Sequence, residues 1–135
     1  MTQAQVGPGQ GYYYYREGAQ IGGGRGGMKP LAQNGTVIIS QDGTLTLLGS
    51  KGDLIDQAPI AQVSWKKMPM TAGQTIFLTL DQKRYSVSIG SLASDIASGN
   101  VKAALFTSDR KRVSKSKHAT GELIEAIEAF PGRPL

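Results

Sequence analysis

From Thr36 onward the chain alternates short apolar runs with turn-forming residues. "TVIIS" (36–40) and "TLTLLG" (44–49) are β-branched and aliphatic, and they flank Gln41-Asp42-Gly43. Asp and Gly tolerate the positive φ that short hairpins require, so this segment predicts a hairpin. "DLIDQAPI" (53–60) follows the turn "SKGD", and "AQVSWKK" (61–67) follows directly. "TIFLTL" (75–80) and "RYSVSIG" (84–90) are joined by "DQK", a second hairpin signal. Tyr85, Val87 and Ile89 alternate with Arg84, Ser86 and Ser88, the period of two expected of a half-buried strand. Six short strands between Thr36 and Gly90 predict an antiparallel meander, whose natural closure is a barrel or sandwich.

The periodicity then changes. In "ATGELIEAIEAFPG" (119–132), Leu123, Ile124, Ile127 and Phe130 fall on one helical face, and Glu122, Glu125 and Glu128 on the other. Thr120 suits an N-cap, Glu122 sits where negative charge meets the positive end of the dipole, and Pro131-Gly132 is a stop. The pattern predicts a helix over 120–130 with Leu123, Ile127 and Phe130 against the sheet. Residues 91–118 form a variable segment. Leu92 and Ile96 are at helical spacing, and "VKAALFTS" fits either a second short helix or a seventh strand.

The first 33 residues differ in composition. Half of the 18 glycines fall within the first 27 residues, and Tyr12–Tyr15 supply four of the five tyrosines. Glycine-rich chain loses much backbone entropy on ordering and offers little aliphatic surface to bury. Residues 1–33 are accordingly expected to be a flexible, disordered tail, with one domain over 34–132. The tyrosines are either incidental to that tail or a sticky recognition element that stacks on a partner. "GGGRGG" is no phosphate loop, because it lacks the Gly-Lys-Ser/Thr ending and no apolar strand precedes it.

Charge narrows the picture. The 135-residue chain carries +5, and residues 109–118 alone account for +4 of it. The basicity is therefore local and is no sign of a protein that coats nucleic acid generally. No cysteine is present, which excludes disulfides, thiolate catalysis and zinc–cysteine sites; one histidine, His118, cannot build a multi-histidine metal centre. No apolar run approaches the ~18 residues needed to span a bilayer. The start lacks the basic and apolar regions of a signal peptide. A cytoplasmic protein without cofactor or metal is the expectation.

Six meandering strands, a variable segment and one amphipathic C-terminal helix resemble the pleckstrin-homology-like fold. The local pattern is similar to its small bacterial members: a strand, a "DG" hairpin and "LTL", then "API" leading into "QVSWKK", a polar loop and two strands ending "YSVSIG". The resemblance covers residues 36–90 and 119–130. It implies a mainly β fold, an open barrel of two antiparallel sheets capped by the helix. It also implies a binding module for phosphoinositides, peptides or protein surfaces, and rarely an enzyme. The phosphoinositide-binding members carry a Lys-x(n)-Arg-x-Arg pattern on the first two strands. The hairpin over 36–51 has only Lys51 at its far end, so that role does not carry over.

No serine–histidine–acid arrangement is present to support an enzyme. His118 lies in a basic stretch, and the aspartates sit mostly in turns, where they serve the backbone. Two binding candidates remain. In "SWKKMPMTAGQ" (64–74), Trp65, Lys66, Lys67, Met68 and Met70 form either an adaptable apolar loop surface or a core tryptophan with a methionine tucked beneath the loop. In "DRKRVSKSKH" (109–118), Arg110, Lys111 and Arg112 head either a solvated approach to the helix or a phosphate-attracting patch. Positive charge just before a helix start is slightly unfavourable, a hint of use beyond folding. The expected function is a non-catalytic adaptor that meets a protein or peptide through the Trp65–Met70 loop or by strand addition to a sheet edge. The alternative is an electrostatic binder of nucleic acid or anionic membrane through residues 110–118.

Overall fold

The computed structural model describes residues 12–27, 29–69, 74–90 and 109–131, with side chains in the last segment from residue 114. Seven strands run β1 (Tyr12–Gly23), β2 (Lys29–Ser40), β3 (Thr44–Leu48), β4 (Leu54–Pro59), β5 (Val63–Lys67), β6 (Thr75–Leu80) and β7 (Lys83–Ile89). Helix α1 spans Asp109–Ala129. All neighbouring strands are antiparallel, in the order β4-β3-β2-β1-β7-β6-β5. Among the described residues the architecture is mainly β with one C-terminal helix. In place of two separate sheets there is one hydrogen-bonded sheet bent on itself.

Closure follows from connectivity. β4 and β5 occupy opposite ends of the strand order, yet only the 3₁₀ turn Ile60–Gln62 separates them in sequence. A three-residue link cannot span a flat seven-stranded sheet at ~4.8 Å per strand, so the sheet must curl until its edges approach. The Ile60 N–H donates to the Gly43 carbonyl at 2.7 Å, tying that turn to the β2–β3 hairpin.

The six strands expected from the alternating pattern are all present. The seventh lies upstream of them, in the segment expected to be a flexible tail. Tyr12–Gly23 is a twelve-residue strand between β2 and β7, in the middle of the sheet. Ala19 and Ile21 are fully buried there. The expectation of a tail over 1–33 is therefore corrected for 12–27 and 29–33, while residues 1–11 lie outside the described residues. The glycine count misled because these glycines have structural positions. Gly18 (φ 75°) sits at a register shift in the β1–β2 ladder, and Gly24 and Gly27 (φ 77° and 78°) make the turn after β1. Tyrosine is also a strong strand former.

The helix is longer than expected. It begins at Asp109, so the basic stretch is its first half and not an approach to it. Thr120 is no N-cap: it is fully buried in mid-helix, and its hydroxyl donates to the Gln74 carbonyl at 2.8 Å. One turn earlier the buried Ser116 hydroxyl donates to the Ile89 carbonyl at 2.6 Å. Small hydroxyl residues thus let α1 lie close across the barrel mouth while satisfying carbonyls at the ends of β6 and β7. Leu123 and Ile127 continue the same stripe and are fully buried. Phe130 is only half-buried, and its ring meets Tyr13 edge-on at 5.0 Å. The questions of a helix at 91–100 and of a helix or strand at 101–108 lie outside the described residues.

Candidate functional site

The first half of the anticipated Trp65–Met70 loop is strand. Trp65, Lys66 and Lys67 belong to β5. Trp65 pairs with buried Leu78, is half-buried against the core, and donates its indole N–H to Glu128 Oε2 of α1 at 2.7 Å. Its side chain is therefore a strut between sheet and helix, closer to the core reading than to the exposed one. Lys66 and Lys67 are exposed, Met68 is half-buried, and Met70 lies outside the described residues.

β5 matters for its backbone. The Met68 N–H donates to the Thr75 carbonyl at 3.1 Å and the Asp81 N–H to the Gln62 carbonyl at 3.4 Å. Hydrogen-bonded and non-bonded pairs alternate along an antiparallel ladder, so the even-numbered residues of β5 face β6. The peptide groups of Trp65 and Lys67 face outward, and among the described residues no strand pairs with that edge.

Arg110, Lys111 and Arg112 lie in the first turn of α1, and their side chains are outside the described residues. Further along, Lys115, Lys117 and His118 are exposed, and His118 approaches Glu122 at 3.9 Å.

Two features went unseen in the sequence. The first is a groove of about 490 Å³ between the N-terminal half of β1 and α1, walled by Tyr13–Arg16 on one side and Glu122, Glu125, Ala126 and Ala129 on the other. Tyr12 and Tyr15 stack at 5.5 Å, and the Tyr15 hydroxyl donates to Glu17 at 2.8 Å. That bond to a carboxylate holds the Tyr15 phenol on its proton up to about 12. The Tyr14 hydroxyl is buried with no partner among the described residues, and desolvation raises its pKa well above the ordinary phenol value. The second is a basic cleft at the barrel end opposite α1, where Arg25 of the β1–β2 turn meets Lys83 and Arg84 of the β6–β7 hairpin. Arg84 stacks 4.9 Å over the Phe77 ring. Leu31 and Leu54, at the start of β2 and β4, are the exposed large hydrophobics among the described residues, at 42% and 58%. The structural first hairpin is thus β1–β2, with Arg16, Arg25 and Lys29, and it too lacks Lys-x(n)-Arg-x-Arg.

Among the described residues no three His, Asp or Glu side chains gather as a metal site. No described helix is long and apolar enough to cross a membrane.

No protein-family model and no curated protein matches the chain. Among solved structures it is similar to the C-terminal PH domain of human FYVE, RhoGEF and PH domain containing protein 3. That likeness has 13% identity and a TM-score of 0.46, and it covers 76% of this chain and 95% of that one. It is also similar to the PH domain of human oxysterol binding protein-related protein 11, with 8% identity over 88% of this chain and 91% of that one, at a TM-score of 0.42.

Proposed function

We propose that this domain is a non-catalytic binding module that recognises a protein or peptide partner by strand addition at β5. The observation that carries the reading is the outward-facing peptide groups of Trp65 and Lys67 on an edge no described strand covers. An extended segment laid there gains ladder hydrogen bonds, and side chains beside it set the choice of partner. Lys66 and Lys67 add positive charge at that edge, while Trp65 is held in place through Glu128. The experiment uses peptides selected from a phage-displayed library on the intact protein. Lys67→Pro removes an outward N–H and leaves the β6-facing bonds alone. Selected peptides should lose at least ~10-fold in affinity on Lys67→Pro, the equivalent of one or two lost hydrogen bonds. Equal binding by both proteins, or a library without binders, would defeat the reading.

A second reading is favoured by the opposite barrel end. Arg25, Lys29, Lys83 and Arg84 cluster there beside the exposed Leu31, a combination suited to an anionic membrane surface. Under this reading the electrostatic contact shifts from residues 110–118 to the loop end. Co-sedimentation with phosphatidylserine vesicles should fall steeply between ~0.05 and ~0.15 M salt. Lys83→Ala/Arg84→Ala should abolish it, and retention by that variant would reject the reading.

A further inference from the structure

We infer that the groove between β1 and α1 is a second docking site, which takes an extended cationic peptide by strand addition along Tyr12–Glu17. The inference is independent of the β5 reading and rests on three observations.

The edge is open. β7 pairs with β1 only at Ala19–Gly22, and a last backbone bond runs from the Gly90 N–H to the Gly18 carbonyl at 3.1 Å. Residues 12–17 therefore pair on one side, with β2, and among the described residues no strand lies on the other. A strand in the interior of the order that is paired on one side only is a template for one more strand.

The opposite wall leaves room. Glu122, Glu125, Ala126 and Ala129 recur at the spacing of one helical face, and two of the four are alanines. Where larger side chains would close α1 onto β1, these leave the groove of about 490 Å³.

The chemistry selects charge. Two glutamates of α1, Glu122 and Glu125, line the groove. Arg16 is the cation on the groove's lining, and it meets Glu122 at 3.8 Å with both side chains about half exposed. So loose and solvated a pair is worth little and yields readily to an incoming cation. His118 reaches the same carboxylate from one turn away, at 3.9 Å. Tyrosine faces attract guanidinium and ammonium groups, which favours arginine or lysine beside Tyr13 and Tyr15. The chain as a whole is +5 and repels a cationic peptide at long range. Selective capture of such a peptide would therefore report local complementarity.

The probe is a fluorescein-labelled decapeptide in which arginine alternates with threonine, compared with its glutamate–threonine counterpart by fluorescence anisotropy on the full chain. The arginine peptide should bind at least ~10-fold tighter at ~0.15 M salt, and Glu122→Lys/Glu125→Lys should reverse the preference. Glu122→Gln/Glu125→Gln serves if the reversal variant fails to melt cooperatively, and it should abolish the preference. Amide chemical-shift changes should centre on Tyr12–Glu17. Lys67→Pro should leave the binding unchanged, which separates this site from the β5 edge. No preference between the two peptides, insensitivity to both glutamate variants, or shifts centred on Val63–Lys67 would overturn the inference. The last outcome would leave the β5 reading standing.

Discussion

The strand whose placement is least expected supplies the sharpest test. Ile21 sits in the glycine- and tyrosine-rich N-terminal stretch, yet it is fully buried and pairs with Ala32 of β2 and Val87 of β7. Ile21→Ala removes three carbons from the seam where β1 joins the two halves of the sheet. Lost transfer free energy is about 2.4 kcal/mol at ~0.8 per buried carbon. If ~40 Å³ of the vacated space fails to relax, the cavity adds about 1 kcal/mol at ~24 cal/mol per Å³. The expected loss is therefore ~3–4 kcal/mol, a large share of the ~5–15 kcal/mol that holds a domain of this size together. At ~4 °C per kcal/mol the melting temperature should fall by roughly 12–16 °C. Urea unfolding followed by Trp65 fluorescence gives the loss directly, because Trp65 joins β5 to α1 far along the chain from the mutation. A loss below ~0.5 kcal/mol, the range of exposed substitutions, would mean that β1 is not inserted in the sheet.

Three further outcomes are expected. Gly121 lies inside α1 with open space around its would-be Cβ, so Gly121→Ala should stabilise by ~0.5–1 kcal/mol; no gain would argue against a helix running through this position from Asp109. At Gly35 a Cβ would stand 2.5 Å from the Leu48 carbonyl oxygen and 3.0 Å from Ile21 Cδ1, whereas at Gly26 it would meet nothing. Gly35→Ala should therefore cost ~1–3 kcal/mol by overpacking and Gly26→Ala almost nothing, and equal melting temperatures would contradict the β1–β2–β3 packing. The Tyr85 phenol is pushed up to about 12 by burial and by its 2.5 Å bond to Asp56. Its folded value lies above the unfolded ~10, so its contribution is complete below about pH 10 and is lost as pH rises through the folded value. Tyr85→Phe should remove that part of the alkaline destabilisation, and parallel urea-midpoint curves for the two proteins from about pH 8 to 12 would refute the assignment.

The alternating pattern of residues 36–90 determined six strands without help from the tertiary structure, because a period of two between turn residues has one low-energy solution. Gln41-Asp42-Gly43 and Asp81-Gln82 determined their hairpins for the same local reason; both central residues of the second have positive φ, 48° and 76°. Leu123 and Ile127 likewise announced the buried stripe of the helix. What only the tertiary structure decided is everything whose partners are distant in sequence. Tyr12–Gly23 is a strand because β2 and β7 flank it, and no local propensity weighs that burial against glycine entropy. Thr120 reads locally as a cap and becomes an interior donor because Gln74, 46 residues away, presents a carbonyl to it. Both candidate peptide sites belong to this second kind. Among the described residues, the outward peptide groups of β5 and the half of β1 paired on one side are properties of strand order and of where β7 stops, and no residue type records either.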